Sequence, residues 1–265
     1  MYETYWGLTE KPFRNAPDPR YLYLSPQHEE AYSRLVYGIG ESLGLVLFSG
    51  LFGCGKTLLL KKLAIDLEKE RYRTAYISNP QMSPEEILSH ILYKLTSASE
   101  EGGKSGLLRG IEKALLDNYN DGRKSVIIID EAHVIDDPGV FEELRMLLNL
   151  QAQGDFLMSL VLSGQPEISD KIRNIKQIDQ RVGIRASVEN LEYEDTRRYI
   201  SCRLSVAGGK SGIFTDEAIE TVFRSSNGIP RRINSICDLS LLAGYTGKLE
   251  KIDSDTVTDV VTDLI

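Results

Sequence analysis

The sequence predicts an α/β fold: a parallel five-stranded sheet with helices on both sides, followed by a small all-α domain. Three observations carry this. Five apolar runs, at 43–50, 73–78, 124–132, 156–164 and 184–190, read as strands covered on both faces. Stretches with helical apolar spacing alternate with them, which is the pattern of a parallel sheet. After about Leu191 the strands stop and only helical spacing remains. The 265 residues suit one medium domain plus a small one. The expected division is therefore 1–191 for the core with an N-terminal extension, and 192–265 for a helical lid.

Residues 1–25 are rich in Pro and Tyr and read as irregular chain. Ser25-Pro26 then opens a helix through residues 29–39, with proline at an early position where its missing N–H costs nothing. The run 43–50 ends in glycine and reads as the first strand; 57–70 is helical and 73–78 is the second strand. Ser83-Pro84-Glu85-Glu86 starts the next helix. Residues 97–106 (SASEEGGKSG) read as a flexible loop, and 107–119 as a helix. The third strand is 124–132, the fourth 156–164 and the fifth 184–190, with a helix at 141–150. Residues 194–208, 216–226, 230–245 and 254–265 read as the helices of the second domain.

Lys and Arg number 31 against 39 Asp and Glu, a net charge of −8. That argues against a protein built mainly to coat nucleic acid, which needs a basic surface. A local basic patch stays open. The three cysteines (Cys54, Cys202, Cys237) form no C-x-x-C pair, so neither a disulfide framework nor a zinc site is indicated. The N-terminus lacks a basic start and an apolar stretch, unlike a signal peptide. The longest apolar stretch, Leu43–Gly53, is about half a membrane span. The expectation is a cytoplasmic protein with no membrane span.

The strongest local signal is Gly50-Leu51-Phe52-Gly53-Cys54-Gly55-Lys56-Thr57, which fits G-x-x-x-x-G-K-[ST]. Glycines let such a loop wrap with its N–H groups aimed at phosphate oxygens, and the helix that follows adds its positive end. A buried strand precedes the loop and an amphipathic helix follows, which is the context it requires. Leu58 continues the loop into that helix. Lys56 would reach the β- and γ-phosphates of a nucleoside triphosphate, and the Thr57 hydroxyl would bind Mg2+. Cys54 reads as a small residue the loop tolerates.

Val126–His133 puts two carboxylates at the end of the third strand. Ligands gather at the C-terminal ends of parallel strands. Asp130 is placed to hold the Mg2+ shell, and Glu131 to orient and polarise an attacking water. His133 completes the string DEAH, which also occurs in helicases, but those need two such cores; here it reads as a local hydrogen-bonding residue. Ser163 and Gln165 follow the fourth strand, where a polar side chain could reach the water or γ-phosphate. Residues 171–185 hold Lys171, Arg173, Lys176, Arg181 and Arg185 against Asp179 alone. Arg224, Arg231 and Arg232 lie near Gly228-Ile229-Pro230 with no acid close by in sequence. Such clusters serve as solvated surface, as stabilisers of γ-phosphate charge, or as contacts to a polyanion.

With these residues assembled, the chain resembles an AAA+ ATPase with a P-loop NTPase core, and within that group the ExeA/GspA type of bacterial secretion and pilus systems. The strings that carry the resemblance are 5–13 (YWGLTEKPF), 17–39, SGLFGCGKT at 49–57, IIIDEAHVI at 127–135, FEELRMLLNLQ at 141–151, LVLSGQPE at 160–167, QRVGIRASV at 180–188 and NGIPRRINSICD at 227–238. The ATPases that regulate DNA transposition, of the TniB and TnsC type, are similar. The resemblance implies a sheet order of 5-1-4-3-2. It implies that Ser163 is the sensor on the fourth strand with Gln165 beside it. Arg181 or Arg185 would be the finger reaching a neighbour's nucleotide, and Arg231 the sensor on the helical lid.

The resulting expectation is a Mg2+-dependent ATPase that takes ATP to ADP. It would assemble into a homo-oligomer, ring or filament, through nucleotide sites at subunit interfaces, and remodel a protein partner in a secretion-type system. The alternative is an ATP-gated DNA-binding regulator, motivated by the basic run at 171–185. A nucleotide kinase is disfavoured by the Asp130-Glu131 strand end and the helical C-terminal part.

Overall fold

The computed structural model describes residues 1–98, 103–210 and 212–264. The strands are β1 (Leu45–Gly50), β2 (Tyr72–Ile77), β3 (Lys124–Ile129), β4 (Gln151–Ala152), β5 (Asp155–Phe156), β6 (Met158–Gly164) and β7 (Val182–Val188). The helices are α1 (Pro26–Gly40), α2 (Lys56–Lys69), α3 (Pro84–Thr96), α4 (Gly103–Asn120), α5 (Pro138–Leu147), α6 (Glu167–Asn174), α7 (Lys176–Asp179), α8 (Tyr193–Val206), α9 (Asp216–Ser226), α10 (Pro230–Thr246) and α11 (Ser254–Leu264). Among the described residues, no helix is long and apolar enough to cross a membrane.

The chain divides into two units. The sheet unit comprises residues 27–51 and 59–188; the helical unit comprises 1–26, 52–58 and 189–265.

In the sheet unit five strands pair in parallel in the order β2-β3-β6-β1-β7. Counting only these five along the chain, the order reads 2-3-4-1-5 from one edge and 5-1-4-3-2 from the other. The numbering differs because β4 and β5 form a separate hairpin that the apolar pattern does not reveal. Strand side chains alternate between faces. Leu45, Leu47, Ile127, Ile129, Leu160 and Leu162 join the core lined by α3, α4, α5 and α6. Val46 faces the other way, where a Cβ on Gly38 of α1 would lie 2.7 Å from Val46 Cγ2 and 3.7 Å from Ile184 Cβ. That close approach is why α1 carries glycine there. Ser83 caps α3 with a reciprocal capping box to Glu86, as its Ser-Pro-Glu-Glu start predicts.

Several boundaries differ from the sequence expectation. The third strand ends at Ile129, not 132, because Glu131 turns left-handed (φ 54°) and a 3-10 turn follows at Ala132–Val134. Gly103–Gly106 belong to α4 rather than to a loop; residues 99–102 of the expected loop lie outside the described residues. The last strand is β7 at 182–188, and α6 and α7 fill a stretch that had been read only for its charge.

In the helical unit α8, α9, α10 and α11 surround a core that includes Ile200, Leu204, Ile219, Val222, Ile233, Leu241 and Val257. Residues 1–26 belong here, not with the sheet as the expected 1–191 division has it, since Tyr2, Trp6, Leu8, Phe13 and Tyr21 are all buried in this core. The Trp6 indole donates to Leu241 O at 2.9 Å, and Tyr2 donates to Asp238. Arg203 is buried and spends its guanidinium on the N-terminal segment: Nε donates to Pro12 O at 2.6 Å and Nη2 to Arg14 O at 2.9 Å. Its Nη1 donates to the Tyr199 hydroxyl at 2.7 Å. The buried polar groups of Tyr2, Trp6 and Arg203 are thus satisfied, as burial requires.

Candidate active site

Between β1 and α2 the chain forms the glycine-rich loop. Gly53 (φ 82°) and Gly55 (φ 103°) take left-handed backbone that residues with a Cβ avoid. Cys54 is fully buried, consistent with a packing role, and Lys56 opens α2 and is itself buried at 4% exposure. Leu51 and Phe52 are exposed. Within the helical unit this loop touches the start of α10. A Cβ on Gly53 would lie 3.0 Å from both Arg231 Cβ and Ile229 Cγ2. Arg231 N–H donates to Gly53 O at 3.4 Å, and its guanidinium stacks 4.8 Å from the Phe52 ring centroid. The loop phenylalanine and the lid arginine are therefore one contact, a cation–π pair.

At the C-terminal end of the sheet, register brings the next group together. Ile129 pairs with Leu162, so Asp130 and Ser163 are neighbours one residue further on. Asp130 is buried at 1% exposure. Its Oδ1 accepts from Ser163 Oγ at 3.0 Å and from Glu131 N–H at 3.0 Å; its Oδ2 accepts from the Tyr76 hydroxyl at 3.1 Å. Burial, with Asp130 beside it, pushes the Tyr76 phenol well above its ordinary range, so it stays a donor. Tyr76 was not singled out in the sequence. It is the next-to-last residue of β2, and the parallel register with β3 carries it to Asp130.

Glu131 is treated differently from its neighbour. Among the described residues its carboxylate accepts no hydrogen bond, and His133 Nδ1 stands 3.6 Å from it. His133 is the local hydrogen-bonding residue its position suggested. Gln165 N–H donates to its Nδ1 at 3.4 Å, and Gln165 Nε2 lies 3.0 Å from its Nε2. Ser163 and Gln165 are thus brought to the two carboxylates, but their polar atoms are engaged on Asp130 and His133. The hydroxyl proton of Ser163 goes to Asp130, and the Gln165 amide lies against His133.

Arg181 and Arg185 are not brought to this group. β7 stands three strands from β3, and Arg181 precedes β7, at the end of the sheet opposite Asp130. Arg181 donates to Asn149 Oδ1 at 2.6 Å and forms no ion pair among the described residues, whereas Arg185 pairs with Asp179. The basic run is also less bare than its sequence suggested: Arg173 pairs with Asp170 at 3.1 Å, and in the helical unit Arg224 pairs with Glu220. Helical spacing supplies those acids from three and four residues away. Cys54, Cys202 and Cys237 form no disulfide, and among the described residues no group of three or more His, Cys, Asp or Glu is arranged to hold a metal ion.

A family model described as an AAA domain matches residues 40–172, from the end of α1 through most of α6. The chain belongs to the AAA domain family. This AAA chain is 39% identical over 256 residues, 95% of its length, to general secretion pathway protein A of Aeromonas hydrophila. It spans 46% of that protein, about half. Its AAA+ P-loop fold is also that of several solved structures. Cdc6p from Pyrobaculum aerophilum superposes with a TM-score of 0.75 at 17% identity, covering 96% of this chain and 70% of that one. The Aeropyrum pernix ORC2 protein, in ADPNP–ADP complexes, gives 0.70 at 14% identity, covering 96% and 71%. The Thermotoga maritima RuvB Holliday junction branch migration motor gives 0.61 at 21%, covering 89% and 69%. At such identities the likeness to these structures is one of fold.

Proposed function

We propose that this AAA chain binds ATP and hydrolyses it to ADP with Mg2+, assembles as an oligomer, and uses turnover to remodel a partner in a secretion-type system. The observation that carries the reading is the different treatment of two adjacent carboxylates: Asp130 is buried and held at three points or more, while among the described residues the Glu131 carboxylate accepts no hydrogen bond. A metal ligand needs fixed orientation; a group that polarises water needs an available lone pair. The donor set fits Mg2+, since the Thr57 hydroxyl and the Asp130 carboxylate are hard oxygens and this ion is held by few protein ligands plus phosphates. Mg2+ supplies charge neutralisation on the phosphates when bound.

The chain's own residues do the rest. Amides of residues 50–57 and the N-terminus of α2 hold phosphate oxygens, and Lys56 adds a fixed charge. Ser163 and Tyr76 fix Asp130. Glu131 orients the water in line with the γ-phosphate. Arg231, stacked on Phe52, belongs to the phosphate-loop corner and acts on the triphosphate. Of the two candidate trans arginines we assign Arg181, whose guanidinium forms no ion pair among the described residues and which stands at the end of the sheet opposite Asp130. The family relative named above gives the secretion context.

Lys56→Ala should abolish nucleotide binding. Glu131→Gln should bind ATP normally while turnover falls by about 10²–10⁴-fold, read as phosphate release. Unchanged turnover in Glu131→Gln would remove Glu131 from its role. Mixing Arg181→Ala with Lys56→Ala subunits should restore part of the activity if sites are shared; a mixture as inactive as its components would withdraw the assignment of Arg181.

A further inference from the structure

Lys171 belongs to the basic run, yet its ammonium is not spent on a carboxylate. It rises from α6 and donates to His133 O at 2.7 Å and Ile135 O at 2.6 Å, with Asp136 Oδ1 only at 3.9 Å. Its side chain is 31% exposed. Both carbonyls belong to the turn that follows β3, where a single 3-10 turn leaves them without helical partners. That turn begins at Glu131, whose φ of 54° and ψ of 31° are left-handed, a conformation disfavoured for a residue with a Cβ. A residue held there needs surroundings that over-determine it.

The surroundings are identifiable. Upstream, the Glu131 N–H is caught by Asp130 Oδ1 at 3.0 Å, and Glu131 O accepts from Val134 N–H at 3.0 Å. Downstream, the corner between β6 and α6 forms a template for the turn. Gln165 meets both ring nitrogens of His133. Gly164 lets the strand pass so close that a Cβ there would lie 3.1 Å from His133 N and 3.2 Å from its Nδ1. Lys171 closes the template from α6 by gripping two carbonyl groups of the same turn, those of His133 and Ile135 on either side of Val134.

We infer that Lys171 is a positioning residue for Glu131: it pins the 131–136 turn to the β6–α6 corner and so aims the carboxylate that orients the water. This rests on the role of Glu131 proposed above. The Lys171 ammonium is spent on backbone carbonyls of the turn, so its loss should disturb geometry at the transition state and leave ground-state binding intact.

The experiment compares Lys171→Met, Lys171→Arg and Gly164→Ala in the full chain, with Glu131→Gln alongside. Steady-state phosphate release and equilibrium binding of a fluorescent ATP analogue are read, and circular dichroism checks folding. Lys171→Met should lower kcat by at least about ten-fold while KM and the analogue's Kd stay within about two-fold. Lys171→Arg should recover most of kcat, since a guanidinium can also donate to both carbonyls. Gly164→Ala pushes on the same turn from the other side and should give the same kcat-only loss; it decides the matter if Lys171→Met does not fold. An unchanged kcat in the folded variants, or a matched fall in affinity, would overturn the inference while leaving Glu131 in place. Normal turnover in Glu131→Gln would instead locate the failure in the underlying reading.

Discussion

The two units of this chain bury their cores with different side chains. In the sheet unit the core is aliphatic: Leu, Ile and Val from five parallel strands and their helices, with Phe141 among them. In the helical unit aromatics are prominent, with Tyr2, Trp6, Phe13, Tyr21, Tyr199 and Phe214 in one cluster. Aliphatic strands need no polar partner for their side chains. Tyr and Trp do, and three of these find one: Tyr2 on Asp238, Trp6 on Leu241 O, Tyr199 on Asn234 at 2.8 Å. The lesson concerns origin as well as chemistry. The sheet unit builds its core from regular elements, whereas the helical unit completes its own with an N-terminal segment whose only regular element is one short 3-10 turn, at Pro19–Tyr21.

If that difference is real, Trp6→Ala should be the most damaging of the following changes, costing about 3–5 kcal/mol of the helical unit's stability in chemical denaturation. A cost no larger than that of a strand methylene would break the comparison. Next comes Arg203→Met. It keeps the apolar stem but leaves Pro12 O, Arg14 O and the Tyr199 hydroxyl without their donor, so a loss of about 2–4 kcal/mol is expected. Ile128→Val removes one methylene from the centre of β3 and should cost about 0.5–1.5 kcal/mol, felt by the sheet unit alone. Domain-resolved hydrogen exchange would assign each loss to its unit.

The smallest effect is a pH dependence. The Tyr23 phenol is pushed up to about 12, first by burial and then by its hydrogen bond to Asp195. Its neutral form is the one the fold favours. Its contribution is therefore complete below pH ~10 and is lost as pH rises through about 12. Tyr23→Phe should cost about 0.5–1.5 kcal/mol at neutral pH, where its hydrogen bond to Asp195 is intact, and make the alkaline decline shallower. A steeper decline would show that another group dominates there.

Much of the candidate site was legible because its signals are local. A glycine-rich loop, a lysine-threonine pair and two carboxylates at a strand end are read from contiguous residues. Ser163 and Gln165 were also placed correctly near the carboxylates, but not what they bond. Tyr76 and Lys171 carried no such signal, since a tyrosine inside a strand and a lysine in a basic run look ordinary. Their partners lie 54 residues away at Asp130, and 38 and 36 residues away at His133 and Ile135. The basic run looked unbalanced partly because Asp170, which answers Arg173, lay just outside the counted window, and partly because Lys171 and Arg181 bond neutral oxygens across the fold.

The amino-acid order alone determined the alternation of buried strands and helices, the phosphate-type loop and the acidic strand end. These follow from side-chain period and from glycine's backbone freedom, both properties of short segments. Tertiary structure alone decided that residues 1–26 complete the helical core, that Asp130 is clamped while Glu131 is left open, and that Lys171 grips a turn. Each of those depends on which distant segments meet, and in a parallel sheet strand order and register, set by the packing of both faces, fix that meeting.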